Sequence, residues 1–224
     1  MANPLRQTLA VARKDLQSEL RSRYALNSLG MFVVVSVSVM AFAAGTERMS
    51  PGVAAGLIWV TMFFSATTGL GRSFVSEEER GTTLLLRLTV APTPVYLGKL
   101  LINLGLALAT NLLIALMFQV MMTGVVVQSG VSFLAVVLMS SLGFAAALTI
   151  IAAIIARSSS KGALYPVLGF PVILPLMILG TDLLERAMLG DAVSTLANGL
   201  GMLALYTAAI IAVSWILFDL LWKE

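Results

Sequence analysis

The densest group of ionisable side chains in this sequence lies in a short polar insert between two long apolar runs. Residues 76–83 have the sequence Ser-Glu-Glu-Glu-Arg-Gly-Thr-Thr and hold three of the eleven acidic residues. Adjacent carboxylates and a guanidinium form charge-assisted hydrogen bonds with the surface of another protein. The chemistry that this pattern favours is therefore recognition of a soluble partner.

Cysteine and histidine are both absent from the sequence. Their absence excludes disulfides, Cys/His zinc or iron–sulfur sites, thiolate catalysis and imidazole acid–base chemistry. It also leaves only methionine or tyrosine as possible haem axial ligands. We therefore expect no catalytic, cofactor-binding or metal-binding residue in this chain, and any associated redox or hydrolytic chemistry on a partner.

The composition is that of a membrane protein. Hydrophobic residues make up 59% and charged residues 11% of the 224 residues, and the mean hydropathy is +0.98. Soluble proteins carry about 25% charged residues. The first 24 residues hold five basic side chains and no apolar core of a signal peptide, so we expect no cleavable signal peptide.

Segments of about 20 apolar residues are long enough to span a bilayer as helices. The sequence predicts an all-α membrane protein with one transmembrane domain over residues 1–224. The predicted spans are 26–45, 52–74, 96–123, 131–156, 163–181 and 197–221. The fifth contains Pro166, Pro171 and Pro175, and we expect it to be kinked or broken.

The distribution of lysine and arginine predicts the orientation, because cytoplasmic loops are enriched in both. With the N-terminus inside, only Arg48 and Arg186 of the fourteen basic residues lie outside. We therefore expect six spans with both termini cytoplasmic. The outer loop 182–195 is predicted to form a short amphipathic helix at the outer surface, either as an interfacial cap or as a contact site for an outside partner.

Residues 4–24 are predicted to form an amphipathic helix along the inner leaflet before the first span. Leucines and a tyrosine recur at a helical period with basic residues between them: Leu5, Leu9, Leu16, Leu20 and Tyr24. Anchoring on anionic lipid and binding of a partner are both compatible with this pattern.

Polar side chains inside the predicted spans are expected to form hydrogen bonds between helices, and contact with a substrate is the alternative. They are Asn103, Thr110, Asn111 and Gln119 in the third span and Ser140, Ser141 and Thr149, with Gly143, in the fourth. Lys99 is expected to extend to the inner surface. No buried acid–base pair is predicted, which argues against a proton-driven or sodium-driven transporter.

Small residues line one face of the second span. They are Gly52 and Gly56, four residues apart, and then Thr61, Ser65 and Gly69. Such faces let helices approach closely. They suit either a tight bundle or the seam of a homodimer, and the sequence leaves both open.

The polar insert itself is predicted to begin a short helix over residues 77–88. Ser76 and Glu79 have the spacing of a capping box, and the prolines that begin at Pro92 are expected to stop the helix. Leu84, Leu85 and Leu88 share one side, which can lie on the membrane or on the bundle. Leu86 is expected to be exposed unless a partner covers it. The segment is either an ordinary connector or a contact site.

A family resemblance favours the contact site. The insert resembles the cytoplasmic coupling segment of type-2 ABC exporter permeases, and the whole chain most resembles the CcmB family, the haem exporter permease of cytochrome c maturation. The residues that carry the resemblance are Glu78-x-Arg80-Gly81-Thr82, Pro92, Gly98-Lys99 and the loop from Arg157 to Lys161. It covers about 220 residues.

The resemblance implies that ATP is hydrolysed on a separate subunit, and the chain indeed lacks a phosphate-binding loop of the Walker A type. The insert would be a coupling helix seated in a cleft of an ABC ATP-binding subunit. Glu77, Glu78, Glu79 and Arg80 would be surface contacts within a coupling motif that includes Thr82. Gly81 would permit close packing, and Leu86 would be an apolar anchor.

The resemblance also implies the other partners: two ATPase copies on two permease copies, a haem-handling membrane subunit, a small single-span subunit and a periplasmic haem chaperone. ATP would bind the partner, haem would be handled by the complex, and no nucleic acid would be involved. The membrane would be the bacterial inner membrane.

Two functions remain open within the family, namely haem export and release of the haem-loaded chaperone. The absence of His, Cys and an obvious polar channel favours release. Rival functions are the permease of another ABC-2 exporter for a drug, lipid or polysaccharide, and a membrane scaffold or intramembrane enzyme without an ATPase.

Overall fold

The computed structural model describes residues 3–22, 24–45, 47–70, 72–122, 124–156 and 161–223. These residues form helices and no strand. The helices are α1 (Pro4–Ser22), α2 (Tyr24–Ala44), α3 (Pro51–Gly69), α4 (Arg72–Glu79), α5 (Thr83–Thr89), α6 (Pro92–Met121), α7 (Gly130–Ile155), α8 (Lys161–Met188) and α9 (Val193–Lys223).

Six of the described helical segments are long and apolar enough to cross a membrane, which confirms the predicted fold class. They are Asn27–Ala44, Pro51–Glu79, Pro92–Met121, Gly130–Ile155, Leu164–Met188 and Val193–Trp222. Tyr24 begins α2, so its predicted place at the end of the N-terminal helix is wrong.

Prolines mark the beginning of α3 and α6, and a serine N-cap precedes α3. Ser50 accepts a hydrogen bond from the Val53 amide, and Pro51 is the first residue of α3. Proline suits this position because its amide has no hydrogen to donate. Pro92 likewise begins α6 after α5 has ended at Thr89, which confirms the predicted stop.

Helix α7 forms the centre of the bundle, where it packs against α6, α8 and α9. Phe144 and Leu148 of α7 are fully buried, and the Phe144 ring lies 5.1 Å from the Trp59 ring of α3. The peripheral helices α2 and α9 expose apolar side chains, as expected of lipid-facing surfaces. They include Met31, Val35, Val39, Phe42, Leu205, Val213, Ile216 and Leu220.

Two polar contacts join α6 to α7 across the interior. The Asn103 amide donates to the Thr149 hydroxyl at 2.8 Å, and the Asn111 amide donates to the Ser141 hydroxyl at 3.0 Å. The predicted interhelical bonds are confirmed for these four residues.

Other polar side chains of these helices are satisfied differently. The Thr110 and Ser140 hydroxyls donate to carbonyls one turn earlier in their own helices, and Gln119 is exposed on α6. An intrahelical bond satisfies a short hydroxyl side chain without a partner helix.

The small-residue face of α3 is used inside this chain. Thr61 and Ser65 are buried. A methyl group added at Gly52 would lie 3.0 Å from the Glu185 carboxylate, and one added at Gly69 would lie 2.6 Å from Leu29. The tight-bundle alternative therefore accounts for most of this face.

Helix α8 continues through its three prolines, so of the two predicted forms of the fifth span, kinked or broken, the broken one is wrong. The described helix runs without interruption from Lys161 to Met188. The Tyr206 hydroxyl of α9 donates to the Val172 carbonyl at 3.0 Å within this stretch. Neighbouring helices can satisfy backbone groups that proline disturbs.

The predicted outer-surface helix over 182–195 is also wrong. Residues 182–188 are the last turns of α8, and the chain turns at Gly190, whose φ is +103°. Leu183, Leu184, Ala187 and Met188 are buried in the bundle. An apolar face that packs against neighbouring helices extends the span instead of lying along the surface.

Candidate functional site

The polar insert folds as two short helices, α4 and α5, joined by a turn at Gly81. The Thr82 amide donates to the Glu77 carbonyl and the Gly81 amide to the Glu78 carbonyl. These bonds form a Schellman motif with Gly81 in the left-handed region at φ +66°. The predicted single helix over 77–88 is therefore wrong.

The predicted capping box is wrong for the same reason. Helix α4 already begins at Arg72, so Ser76 lies inside it and Glu79 is its last residue. Serine caps a helix only where the chain enters it. Gly81 was the available signal, since a glycine after a polar helical run marks a helix end.

Gly81 makes this turn sensitive to substitution. We expect Gly81→Ala to lower the free energy of unfolding by about 1–2 kcal/mol, because a Cβ is strained at positive φ. Asparagine tolerates this region, so Gly81→Asn should cost less. Thermal unfolding in detergent measures both, with Gly105→Ala on α6, where an added Cβ meets nothing within 4 Å, as control. Equal losses for alanine and asparagine would contradict the turn assignment.

Four charged side chains from three helices meet beside this turn and form the ion cluster Lys14–Asp15–Glu77–Lys99. The Lys99 ammonium lies 3.1 Å from Asp15 Oδ2 and 3.3 Å from Glu77 Oε1. Lys14 lies 3.1 Å from Asp15 Oδ1 and forms a second ion pair with Glu77. The cluster therefore joins α1, α4 and α6.

The ion cluster is buried on the Lys99 side. The Lys99 side chain has no exposed surface, and its ammonium lies 4.7 Å from the centre of the Phe74 ring. The predictions that Lys99 extends to the surface and that no acid–base pair is buried are both wrong. The sequence signal for this buried pair is a lysine inside an apolar span, since a charge there requires a partner of opposite charge.

Asp15 is one of the two carboxylates that pair with Lys99. It was not among the predicted site residues. It is buried on α1 beside Val11 and Ala12. The sequence signal for this role is an acidic residue on the same helical face as Thr8, Val11 and Ala12. Its burial depends on α1 packing against α6.

Asp15 and Glu77 also shift the pKa of the half-buried Lys14. Burial lowers the pKa of its ammonium, but hydrogen bonds and charge attraction from Glu77 and Asp15 outweigh that effect. The net result is a pKa above the usual value for lysine. Lys14 therefore stays positively charged at neutral pH.

Helix α1 lies directly against the start of α6. A methyl group added at Gly98 would lie 2.8 Å from Val11 Cβ and 2.9 Å from the Thr8 carbonyl oxygen. Another side of α1 exposes a row of leucines: Leu5, Leu9, Leu16 and Leu20. The predicted amphipathic helix is confirmed, with a small-residue side on the bundle and a leucine side facing outward.

The predicted site residues of α4 divide into two groups. Glu77 is buried in the ion cluster, so its predicted surface contact is wrong. Glu78 and Glu79 are exposed. The Arg80 guanidinium is exposed and donates to the Ser18 hydroxyl of α1 at 3.2 Å, while the Thr82 hydroxyl donates to the Glu77 carbonyl at 3.3 Å.

The prediction that Leu86 is exposed is wrong. Leu86 is half-buried and packs against the core, whereas Leu84, Leu85 and Leu88 are exposed. A Cβ at Gly81 would meet nothing within 4 Å, so Gly81 serves the turn and not close packing. The cause is the Gly81 turn, which rotates α5 relative to the predicted single helix.

Comparison with known proteins identifies the family. The model of the family described as CcmB protein matches residues 6–215. No curated protein matches the chain. The matched range contains the ion cluster, the Gly81 turn and almost all of the six-helix bundle. The chain therefore belongs to the CcmB family, whose members are the permease of the cytochrome c maturation ABC transporter and associate with its ABC ATPase.

Proposed function

We propose that α4, the Gly81 turn and α5 together form a coupling segment that transmits ATP-driven movement of the partner ATPase to the bundle. The ion cluster carries this proposal. It ties Glu77 of the segment to Asp15 of α1 and Lys99 of α6. A displacement of α4 then moves α1 and the start of α6 with it, because separating these charges leaves them buried without partners.

The surface available for the ATPase consists of the exposed side chains of the coupling segment. Glu78 and Glu79 supply negative charge, and Leu84 and Leu88 supply apolar area. The remaining predicted residues have positioning roles. Glu77 and Leu86 hold the coupling segment on the bundle, Gly81 and Thr82 form its turn, and Arg80 contacts α1.

Charge reversal tests the docking surface. We expect Glu78→Lys/Glu79→Lys to abolish co-purification of the ATPase and to lower ATP turnover by the complex by at least about tenfold, since reversed charges at an interface repel. The matched control is Glu47→Lys/Asp182→Lys, which reverses two exposed carboxylates at the other end of the bundle. Unchanged ATPase association in the Glu78/Glu79 variant would contradict the proposal.

The arrangement of the ends supports a cytoplasmic location for both termini. Lys14 of α1 contacts the coupling segment, and so does Trp222 near the end of α9, whose ring lies 5.3 Å from the Arg87 guanidinium. Both ends of the chain therefore lie on the side of the coupling segment, which is where a cytoplasmic ATPase would bind. The lysine and arginine distribution agrees.

We further propose that the complex uses ATP hydrolysis to release the haem-loaded periplasmic chaperone and does not pass haem through this subunit. The sequence contains no histidine or cysteine to ligate haem. The side-chain nitrogens of Asn103 and Asn111 donate to the Thr149 and Ser141 hydroxyls between α6 and α7, so these buried donors serve helix packing. The family match supports cytochrome c maturation over a drug, lipid or polysaccharide exporter.

Reconstitution separates the two family functions. The permease and the ATPase alone are placed in vesicles with haem on the ATPase side and a haem-binding protein inside. We expect no ATP-dependent accumulation of haem. Addition of the haem-handling subunits and the chaperone should restore an ATP-dependent step, measured as chaperone release. Haem accumulation with the permease and the ATPase alone would contradict chaperone release.

A further inference from the structure

A groove on the exposed side of the ion cluster carries concentrated positive charge. It has a volume of about 560 Å³ and is lined by Lys14, Gln17, Ser18, Arg21 and Arg80. Three of these five residues are cations and none is acidic. The groove lies between α1 and the Gly81 turn, and the Arg80–Ser18 hydrogen bond at 3.2 Å crosses it.

A second cavity, of about 270 Å³, lies beside the groove, toward the bundle. Lys14, Ser18 and Arg80 line both spaces, so the two are adjacent. The deeper walls are largely apolar and come from α5 and α6, with Leu85, Leu86, Ile102 and Leu106 among them.

The cavity itself is not positively charged, because its lining holds three carboxylates beside the cations of Lys14 and Arg80. These are Asp15, Glu19 and Glu77, and Asp15 and Glu77 are paired with Lys14 and Lys99 in the ion cluster. The positive charge that remains lies at the mouth, on Arg80 and on Arg21 in the groove. A ligand that fits has an anionic group at the mouth and an apolar tail inside.

One polar side chain interrupts the apolar inner wall of the cavity. The side-chain oxygen of Asn103 is buried without a hydrogen-bond partner, and Asn103 lines the inner wall. A buried acceptor of this kind is normally satisfied by a donor, and a hydroxyl or an ordered water at the base of the cavity would supply one.

We propose that the adjacent groove and cavity bind one anionic phospholipid, with its phosphate between Arg21, Arg80 and Lys14 and an acyl chain along the apolar walls. Guanidinium groups bind phosphate oxygens through paired hydrogen bonds. The source is the bilayer itself, because Ile102 and Leu106 of the membrane-spanning helix α6 form part of the cavity wall. The lipid then lies between α1 and the coupling segment, where it stabilises their contact.

Native mass spectrometry of the delipidated full chain tests this proposal. The protein without the ATPase is titrated with phosphatidylglycerol, phosphatidylcholine or glycerol phosphate, so the result is independent of ATPase docking. We expect one phosphatidylglycerol to bind tightly. Arg21→Gln/Arg80→Gln should weaken its binding by roughly 30-fold, at roughly fivefold for each cation removed.

The matched control is Arg6→Gln/Arg13→Gln, which removes two exposed cations from α1 outside the groove. It should leave the affinity for phosphatidylglycerol within about twofold, since neither side chain lines the site. Equal weakening in both variants would show diffuse attraction to the helix and overturn the site.

The ligand comparisons decide the source of the phosphate. Equal affinity for phosphatidylcholine would overturn the requirement for an anionic lipid. If glycerol phosphate binds as tightly as the lipid, the acyl chain contributes nothing to binding. That result would overturn its proposed place in the cavity and indicate a soluble phosphate ligand. Thermal unfolding of every variant confirms that the proteins compared are folded.

Discussion

Replacement of Lys99 by methionine is expected to lower the free energy of unfolding by about 3–5 kcal/mol, because it leaves Asp15 and Glu77 as buried carboxylates without their cation. Lys99 has no exposed surface and contacts both carboxylates. Methionine keeps the length and the apolar stem of lysine, so the loss reports the charge. Thermal and denaturant-induced unfolding of the purified chain in detergent measure it.

Lys14→Met is the matched control, because Lys14 contacts the same two carboxylates from the solvent side. Half of the Lys14 side chain is exposed, so its removal should cost less than about 1 kcal/mol. Neutralising the whole buried set in Asp15→Asn/Glu77→Gln/Lys99→Met should recover part of the stability, since the charge that then lacks a partner is the half-exposed Lys14 and no longer a buried one. Equal losses for the two lysine variants would contradict the assigned burial.

The ion cluster also predicts a functional separation between these variants. Lys99→Met should weaken the mechanical connection between the coupling segment and α6, whereas Glu78 and Glu79 remain exposed for docking. ATPase co-purification should therefore persist while ATP-dependent chaperone release falls. Loss of co-purification in a folded Lys99→Met protein would mean that Lys99 supports docking itself.

Gly180→Ala is expected to lower the free energy of unfolding by about 3 kcal/mol, at the upper end of the usual overpacking penalty. An added Cβ would lie 1.9 Å from Trp59 Cζ2 and 2.6 Å from Cε2. The indole is fully buried against Phe144 and cannot rotate away without displacing α7. The substitution therefore forces α3 and α8 apart.

A second substitution identifies the cause of that loss. Gly180→Ala/Trp59→Phe removes the indole atoms that meet the new methyl group, so it should be more stable than Gly180→Ala alone. Gly56→Ala on α3 meets nothing within 4 Å and should change stability by no more than about 1 kcal/mol. If the double variant is no more stable than the single one, the clash with Trp59 is not the origin of the loss.

The fold class and the span count could be predicted from the sequence because they depend on local composition. A helix of the required length and hydropathy crosses a bilayer whatever its neighbours are. The proline starts of α3 and α6 and the amphipathic character of α1 follow from equally local rules. The predicted cross-helix bonds of Asn103 and Asn111 succeeded because lipid offers such side chains no alternative partner.

The wrong predictions concern residues whose local pattern suits one element but which the fold places in another. Residues 182–188 have an amphipathic pattern that suits a surface helix, but the bundle buries their apolar side and extends α8. In the insert, the spacing of Ser76 and Glu79 suggested a helix start. Helix α4 instead begins at Arg72 and ends at Glu79, before the Gly81 turn.

Local sequence patterns were sufficient to predict the class of this protein, its span count and, through its charged segment, its family resemblance. Which charges of the segment face a partner, and which hold it to the bundle, depends on the packing of distant helices. Asp15 and Glu77 are 84 and 22 residues away from Lys99, which both of them contact. No local pattern encodes such a meeting, because it exists only once α1, α4 and α6 pack together and exclude water from their charges.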